Sequence, residues 1–405
     1  MNKVYTGLEI GENTIKIATF KEVYGNLKLL ASAEVKTKGI SKGRIIDAKL
    51  VAKSLNAAKK DLENKLGIEI SKIVLSIKPY DTDYKIASVA VNTIDPNMIS
   101  GADITNLIKA SLKENIRKDY ELITAFPIGY KLDNGKIVNN PKGKKSKKIF
   151  SRIVLASEKK DYLYKYLTIV NMVGFEVTDI VYDSVADYYA VRNKTYDEEV
   201  GVIIDIGEEE TGISVFNKGI MVKKGAVPIG SRHVDSDISY IYKIGLKDAR
   251  KLKESYALAS SRYADKYDSV TLKDENGENI EISQLKLTEI VSARLKELLN
   301  LSKKEIKNLT NRKISYIIIL GGLSEMTGFN YLASHILGDS VVVWSSTTIG
   351  LRHNKYGTVI GTVKYFKDKL ELRSKSLSMI DSSEYDELKD ASNKDALKNI
   401  MTENA

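Results

Sequence analysis

The chain has 405 residues, of which 43% are hydrophobic and 29% charged, a composition typical of a soluble globular protein with several cores. It contains no cysteine, which excludes disulfides and favours a cytoplasmic protein. His233, His335 and His353 are too widely spaced to predict a histidine metal site. No apolar run reaches the roughly 18 residues of a membrane span, and the N-terminus has no secretory pattern. The formal net charge is +10, but the lysines are mostly scattered, so no nucleic-acid partner is predicted.

Two stretches far apart in the chain share one pattern. Residues 4–20 (VYTGLEIGENTIKIATF) and 201–216 (GVIIDIGEEETGISVF) each predict a strand ending in acidic-Ile-Gly-Glu, a tight turn and a second strand. A further strand is predicted after each hairpin, at 27–37 and 219–228, and an amphipathic helix at 47–66. This order indicates α/β domains in two related halves.

The remaining segments differ in character. Residues 81–160 predict a separate unit of strands and one helix, ending in a basic loop, and residues 231–313 are predominantly helical. Residues 314–322 (ISYIIILGG) predict a buried strand that runs into paired glycines. From about 367 the composition becomes polar, which predicts a tail.

Taken in chain order, these motifs resemble the two phosphate motifs and the adenosine motif of actin-like ATPases. Within that superfamily the connecting segments resemble FtsA, the bacterial division protein that links FtsZ filaments to the membrane. GISKGRIIDAKLVAKSL is similar to the FtsA segment after the third strand, and ADITNLIKAS, AFPIGYKLDNG and NNPKG follow in the order of the subdomain that FtsA inserts. The resemblance covers roughly residues 1–366.

The resemblance implies an α/β, actin-like two-lobed fold with duplicated RNase-H-like cores, an inserted FtsA-type α+β subdomain and a helical subdomain in the second lobe. The implied parts are the first lobe core (1–80 with 161–197), the inserted subdomain (81–160), the second lobe core (198–230 with 314–366), the helical subdomain on the nucleotide and FtsZ-peptide side (231–313) and the tail (367–405).

The resemblance also implies ATP or ADP with Mg²⁺. Backbone N–H groups in turns between strands can point at phosphate oxygens, and glycine allows close approach. A phosphate-bound Mg²⁺ keeps several waters, through which carboxylates just before each turn would hold it. The implied residues are Gly11, Glu12, Asn13, Thr14 and Lys16 at the first turn, Gly207 and Thr211 at the second, and Glu9 and Asp205 for Mg²⁺.

The second turn departs from the family pattern Asp-Ile-Gly-Gly-Gly-Thr-Thr-Asp, because Glu208, Glu209 and Glu210 follow Gly207. A carboxylate about 6 Å from a phosphate charge costs roughly 3 kcal/mol at an effective dielectric near 20. We therefore expect these side chains to extend into solvent or to meet cations, with Lys16 and Mg²⁺ as candidates. This departure predicts weaker nucleotide binding and favours a structural ligand over rapid hydrolysis, with at most a weak ATPase.

Further nucleotide-site residues follow from the same resemblance. Arg250 and Lys253 fall on the positions of a helix whose Glu and Lys contact ribose in the family, so Arg250 departs from the pattern. Gly321, Gly322 and Leu323 match the adenosine motif, with Leu323 in place of a small residue.

Asp183 matches the position of the Gln or Glu that polarises the attacking water in actin-like ATPases. Asp is shorter than either, and a structural role as a helix N-cap is an equal alternative.

The resemblance implies that the helical subdomain binds the acidic C-terminal peptide of FtsZ. An ordinary solvated helix face is the alternative for these cations. The candidate residues are Lys286, Arg294, Lys296, Lys303 and Lys304.

Other implied properties are self-association into filaments, contacts with other division proteins, and a location at the inner face of the cell membrane and the division septum. A dense basic cluster at 142–148 predicts a solvated loop, a polymer contact or an anionic-lipid contact. The C-terminal tail would supply only a weak membrane-targeting helix, since it has no Trp or Phe. Its apolar stripe would consist of Leu388, Ala391, Leu397, Ile400 and Met401.

Two alternatives to an FtsA-type division protein remain open. A PilM-like pilus-assembly adaptor shares the lobe plan and recognises a peptide of a membrane protein. A small-molecule kinase of the same superfamily would need a catalytic base and a substrate pocket, and neither is evident in the sequence.

Overall fold

The computed structural model describes residues 3–41, 43–113, 115–381, 383–385 and 388. The chain divides into two compact units. The first unit comprises the described residues up to Ala190 and from Thr358 onward, and the second unit comprises Val191–Gly357.

Strands and helices are numbered in chain order. The strands are β1 (Val4–Ile10), β2 (Thr14–Val23), β3 (Asn26–Lys36), β4 (Ile40–Ser41), β5 (Arg44–Ile45), β6 (Lys72–Ile77), β7 (Thr82–Asn92), β8 (Tyr120–Pro127), β9 (Tyr130–Leu132), β10 (Ile137–Val138), β11 (Lys148–Lys159), β12 (Glu176–Tyr182), β13 (Val200–Ile206), β14 (Thr211–Asn217), β15 (Ile220–Val227), β16 (Ser269–Lys273), β17 (Asn279–Ser283), β18 (Tyr316–Leu320) and β19 (Val341–Val343). The helices are α1 (Ala48–Leu66), α2 (Gly101–Leu112), α3 (Lys160–Met172), α4 (Asp183–Val191), α5 (Ser231–Tyr242), α6 (Leu246–Tyr256), α7 (Gln284–Leu309), α8 (Phe329–Leu337) and α9 (Gly357–Leu372).

A mixed five-stranded sheet forms the main core of the first unit, in the order β12-β6-β1-β2-β3. β1, β2 and β3 are antiparallel, whereas β6 and β12 run parallel to β1. Helix α1 packs on this sheet and is capped at both ends: Asp47 accepts a hydrogen bond from the Leu50 amide at 3.0 Å, and Gly67 ends the helix with φ of 73°. Its buried face consists of Val51, Ser54, Leu55, Ala58, Leu62 and Leu66.

The inserted residues form a second sheet, in the order β10-β9-β11-β7, with β8 also paired to β11. Helix α2 covers one face, because Ile104 and Leu107 are fully buried against Ile149, Ile153 and Leu155. Odd-numbered residues of β11 from Ile149 point toward this core, as the period of two along a strand requires.

A buried carboxylate anchors the inserted sheet to the chain that enters it. Glu158, at 0% exposure, accepts hydrogen bonds from the amides of Tyr80 (3.0 Å), Asp81 (2.8 Å) and Lys159 (3.0 Å). The Thr82 hydroxyl donates a fourth at 3.0 Å. These four donors compensate the desolvation of the charge, so Glu158 fixes the start of β7 to the end of β11.

The second unit repeats the topology of the first sheet. Its strand order is β15-β14-β13-β18-β19, in which β13, β14 and β15 are antiparallel and β18 and β19 run parallel to β13. The buried faces of α5, α6, α7 and α8 contribute to one apolar core with this sheet, and β16 and β17 form a separate hairpin. The repeat predicted from the two acidic-Ile-Gly hairpins therefore extends to five strands in each unit.

Most of helix α9 belongs to the first unit. A Cβ at Gly361 would overlap the Ala186 carbonyl oxygen, so α9 and α4 are in close backbone contact there. Beyond α9, the Met379 amide donates to the Val4 carbonyl at 2.9 Å, and Met379 and Ile380 are buried. The polar segment that begins at residue 367 thus contains the end of α9 and a stretch that packs beside β1.

Of the tail residues predicted to form an apolar stripe, Ala391, Leu397, Ile400 and Met401 lie outside the described residues, and Leu388 is the last described residue. No helix in the part of the chain that the structure describes combines the length and apolarity needed to span a membrane.

Replacement of Glu158 by alanine tests the anchor of the inserted sheet. Glu158→Ala would leave three amides and a hydroxyl without their buried acceptor, so we expect the free energy of unfolding to fall by about 3 kcal/mol. Urea denaturation measures this, with Glu176→Ala, at an exposed strand position, as the control. Equal stabilities of the two variants would contradict the anchoring role.

Candidate functional site

The first turn joins β1 to β2. The Gly11 amide donates to the Thr14 carbonyl at 3.1 Å and closes the turn, and the Asn13 carbonyl accepts from the Thr37 amide at 2.8 Å. The Glu12 carboxylate accepts a hydrogen bond from the Gly43 amide and lies 3.9 Å from Lys78 Nζ. Glu12 therefore holds the turn to the β4–β5 segment.

Glu9 and Lys16 form an ion pair beside this turn. The β1–β2 register places them opposite each other, and Lys16 Nζ lies 2.7 Å from Glu9 Oε1. Burial raises the pKa of Glu9, the Lys16 ammonium opposes this shift, and the charges of Asp183 and Glu34 add to it. Glu9 Oε2 is buried and has no hydrogen-bond partner among the described residues. A solvated cation such as Mg²⁺ with its waters would suit that oxygen.

Asp183 is the first residue of α4, and its carboxylate accepts a hydrogen bond from the Ser184 amide. Its negative charge raises the pKa of Glu9, so both carboxylates belong to one electrostatic environment in the first unit. The structure thus brings Glu9, Lys16 and Asp183 together, although they come from three different elements.

The second turn joins β13 to β14. The Gly207 amide donates to the Glu210 carbonyl at 3.0 Å, and the buried Thr211 hydroxyl donates to the Ile229 carbonyl at 2.7 Å. Both groups predicted to contact phosphate are therefore engaged within the second unit. The amides of Glu208 and Glu209 donate to no described residue. They are the turn donors that could contact an anionic ligand.

Two arginines pair with two of the three glutamates of this turn. Arg250 pairs with Glu208, which also accepts from the Ser231 hydroxyl at 3.1 Å, and Arg232 Nη1 lies 2.7 Å from Glu209 Oε1. The sequence predicts solvent, Lys16 or Mg²⁺ beside these carboxylates. The partners in the structure are arginines on α5 and α6, which no local motif indicates.

Arg250 and Lys253 share one buried acidic partner on α5. Asp235, 1% exposed, lies 2.9 Å from Arg250 Nε and 2.7 Å from Lys253 Nζ. Partial burial lowers the pKa of Arg250, but the hydrogen bond to Asp235 and the charge of Glu208 outweigh it and raise the pKa above its ordinary value. Arg250 and Lys253, the two cations predicted to contact ribose, are therefore already paired with acidic side chains of their own unit.

The paired glycines follow β18. Gly321 has φ of 97°, and a Cβ there would overlap the Ile206 carbonyl oxygen, so only glycine fits. A Cβ at Gly322 would make only an ordinary contact with Lys355, at 3.8 Å. The Leu323 side chain is buried in the core, and the Leu323 carbonyl accepts a hydrogen bond from the Met326 amide at 3.4 Å. The Ser324 hydroxyl donates to the Gly321 carbonyl at 2.7 Å and fixes the segment.

The cations predicted to bind a partner lie on α7. Arg294 is held by Asp237, at 2.6 and 2.8 Å, and by Glu297 at 2.6 Å. Lys303 donates to the Ile336 carbonyl at 2.6 Å. The exposed lysines of the set are Lys286, Lys296, Lys303 and Lys304.

The basic loop lies in the first unit. Lys142 donates to the Glu371 carbonyl at 2.8 Å and ties the loop to the end of α9. Lys144, Lys145, Lys147 and Lys148 are exposed.

No group of three or more potential metal-binding side chains occurs within the residues described. Asp205, the second carboxylate assigned to Mg²⁺, is half-buried at the end of β13, opposite Gly212.

Several solved structures of other proteins have a fold similar to this duplicated topology. A PilM–PilN type IV pilus biogenesis complex aligns with a TM-score of 0.58 and 14% identity, covering 90% of this chain and 98% of the other. MreB5 of Spiroplasma citri bound to AMPPNP aligns with a TM-score of 0.55 and 11% identity, covering 91% and 97%. The fold is that of the actin-like proteins, which confirms the fold class predicted from the sequence.

Sequence comparison defines the family. A model of "Cell division protein FtsA" matches residues 202–361, and a model of the "SHS2 domain inserted in FTSA" matches residues 85–153. FtsA of Streptococcus pneumoniae is 25% identical over 369 residues, covering 89% of this chain and 79% of that protein. FtsA of Bacillus subtilis is 23% identical over 369 residues, covering 90% and 83%. The chain belongs to the FtsA family of cell division proteins.

The raised pKa of Glu9 predicts a pH-dependent stability. A carboxyl group whose pKa is higher in the folded state contributes stability at low pH, and that contribution is lost as pH rises above the unfolded pKa of about 4.3. We therefore expect wild type to lose stability relative to Glu9→Gln as pH rises above about 4. Urea denaturation at a series of pH values from about 4 upward measures it, with Glu176→Gln as the control. Parallel profiles for wild type and Glu9→Gln would contradict the assignment.

Proposed function

We propose that this chain is an FtsA-type division adaptor that binds an adenine nucleotide, self-associates into filaments and anchors FtsZ at the inner face of the cell membrane during septum formation. Family membership supports the role in division. The single observation that carries nucleotide binding is the Glu9–Lys16 pair beside the first turn, in which Glu9 Oε2 is buried and has no hydrogen-bond partner among the residues described.

The residues of the first unit fit a Mg²⁺–nucleotide. Lys16 would face a phosphate charge, and Glu9 would accept from water on Mg²⁺. The Gly11 amide already donates to the Thr14 carbonyl, so the remaining amides of the first turn would point at phosphate oxygens. A bound nucleotide would supply a polyanion that orders these groups. The likeness in fold to an MreB5 structure bound to AMPPNP supports this part of the proposal.

The nucleotide serves as a structural ligand, with slow hydrolysis at most. Asp183 lies near Glu9, as a group that positions water would, but its carboxylate also accepts from the Ser184 amide at the start of α4. On the second turn, Gly207 and Thr211 donate to carbonyl groups of their own unit. Both features favour ordering of the chain by nucleotide over rapid turnover.

The proposed partner site is the exposed lysine face of α7, formed by Lys286, Lys296, Lys303 and Lys304. Its charge complements the acidic FtsZ C-terminal peptide, and the ion pairs described for α7 are those of Arg294, with Asp237 and Glu297, and involve none of these four lysines. Arg294, paired with Asp237, would shape the edge of this face. The basic loop is a candidate for filament or anionic-lipid contact, and other division proteins are further candidate partners.

A PilM-like adaptor is the second candidate. The fold likeness to PilM in a complex with PilN supports recognition of a short peptide from another protein as a function of this architecture. Binding of an FtsZ peptide would separate the two candidates.

Loss of the Lys16 charge should weaken nucleotide binding. Lys16→Ala removes the cation and leaves Glu9 unpaired, so we expect mant-ATP affinity with Mg²⁺ to fall by about tenfold or more. Lys28→Ala, at an exposed position of β3, is the matched control. If wild type binds no mant-ATP at millimolar nucleotide, the nucleotide proposal is wrong. Phosphate release measured in parallel tests the proposed slow hydrolysis.

Charge reversal on α7 tests the partner site. The triple variant Lys286→Glu, Lys296→Glu, Lys304→Glu should bind a labelled FtsZ C-terminal peptide about tenfold or more weakly, because repulsion replaces attraction. The matched control reverses three exposed lysines of α1, namely Lys49, Lys53 and Lys60. Fluorescence anisotropy at two salt concentrations measures both triple variants. Equal affinities for the two would exclude α7 as the docking surface.

A further inference from the structure

Two departures from the family pattern lie next to each other in the second unit. Glu208 replaces a glycine of the phosphate turn, and Arg250 replaces the glutamate of a helix that contacts ribose in the family. The structure brings the two side chains into an ion pair. Compared with the family pattern, the turn therefore has an additional acidic residue, Glu208. Helix α6 has a basic residue, Arg250, in place of an acidic one.

Arg250 is the centre of a chain of alternating charges. Its guanidinium bridges Glu208 and Asp235, with Nε 2.9 Å from Asp235 Oδ2, and Lys253 Nζ lies 2.7 Å from the other oxygen of Asp235. Asp235 and Lys253 are 1% and 5% exposed. A planar guanidinium can donate to two carboxylates at once, which an ammonium group does less well. Arg250 is therefore held in one orientation by a buried acid.

The backbone of the turn is fixed to α5 as well. The amides of Ser231 and Arg232 donate to the carbonyls of Gly207 and Glu208, each at 2.9 Å. A Cβ at Gly230 would overlap the Glu208 carbonyl oxygen, so the turn lies directly against the start of α5. The turn carbonyl groups thus occupy the donors at the N-terminus of this helix.

We propose that Arg250 is the positioning residue of the 207–211 turn and that it sets this turn without nucleotide. Asp235 orients Arg250, Arg250 holds Glu208 away from the ligand side, and the amides of Glu208 and Glu209 remain available as donors.

A specificity follows, which rests on the proposed nucleotide binding. The family glutamate can accept hydrogen bonds from ribose hydroxyls, whereas a guanidinium has only donors and here is committed to two carboxylates. Arg250 therefore cannot accept a hydrogen bond from a ribose hydroxyl, as the family's glutamate can. The protein binds ATP and 2′-deoxy-ATP equally.

A double-mutant cycle without nucleotide tests the positioning role. Arg250→Ala leaves buried Asp235 and Glu208 without their shared partner, so we expect the thermal unfolding midpoint to fall by about 5–10 °C. The double variant with Glu208→Ala should lose clearly less than the sum of the two single losses. Arg250→Lys should restore only part of the loss, because an ammonium group does not bridge both acids.

The control cycle uses Arg232→Ala and Glu209→Ala, the second ion pair of the same turn. The Arg232 and Glu209 side chains are 51% and 29% exposed, against 23% and 14% for Arg250 and Glu208, so we expect little coupling. The positioning role would be overturned if the coupling energy between Glu208 and Arg250 were no larger than that between Glu209 and Arg232. This result does not depend on whether nucleotide binds.

Competition of mant-ATP with ATP and 2′-deoxy-ATP tests the specificity. Wild type should show equal affinities within about twofold, whereas Glu208→Gly with Arg250→Glu, which restores both family residues, should prefer ATP by about tenfold through the regained acceptor. A tenfold preference in wild type would overturn the proposed specificity. Absence of mant-ATP binding would overturn both the specificity and the nucleotide proposal, while the stability cycle would still decide the role of Arg250.

Discussion

Desolvation of charge governs both turns of this protein. An ionised side chain taken out of water needs a partner of opposite sign or several hydrogen bonds, and otherwise destabilises the fold. In the first unit, Glu9 on β1 meets Lys16 on β2. In the second, Glu208 meets Arg250, which in turn meets buried Asp235. At each turn, an acidic side chain that is removed from water is thus accompanied by a basic side chain of the same unit.

The two units have the same sheet topology but compensate the charges of their turns in different ways. Each has three antiparallel strands followed by two parallel ones, with a turn after the first strand. At the first turn the pair leaves one carboxylate oxygen without a hydrogen-bond partner among the described residues, and this oxygen suits a hydrated cation. At the second turn the charges of Glu208 and Glu209 are paired with arginines of the same unit. Under our proposal, nucleotide therefore orders mainly the first unit, which agrees with a structural ligand and not with rapid hydrolysis.

The same principle applies outside the turns. Glu158 is fully buried and ionisable, and four donors from the chain entering and leaving the inserted sheet compensate its desolvation. On α7, Lys286, Lys296 and Lys304 remain exposed, where hydration compensates their charge, and under our proposal they recognise an acidic partner. An adaptor needs both features: charges committed inside to fix the shape, and charges left outside for recognition.

The sequence by itself determined the local features: the two hairpins with their acidic-Ile-Gly ends, helix α1 with its Asp47 cap, and the strand that runs into Gly321 and Gly322. Alternating apolar residues and capping side chains act over a few positions, so they can be recognised in one dimension. The similarity of the two hairpins also indicated the duplication that the strand orders confirm.

Only the tertiary structure decided which charges meet. Arg250 is 42 positions from Glu208 and 15 from Asp235, so no local pattern connects them. The resemblance places Arg250 at the ribose and predicts solvent, Lys16 or Mg²⁺ beside Glu208, because a motif describes each position by itself. The paired departure in charge at 208 and 250 is visible in the sequence. It becomes an interaction only because α6 packs on α5 and α5 begins against the turn, which is a consequence of long-range packing.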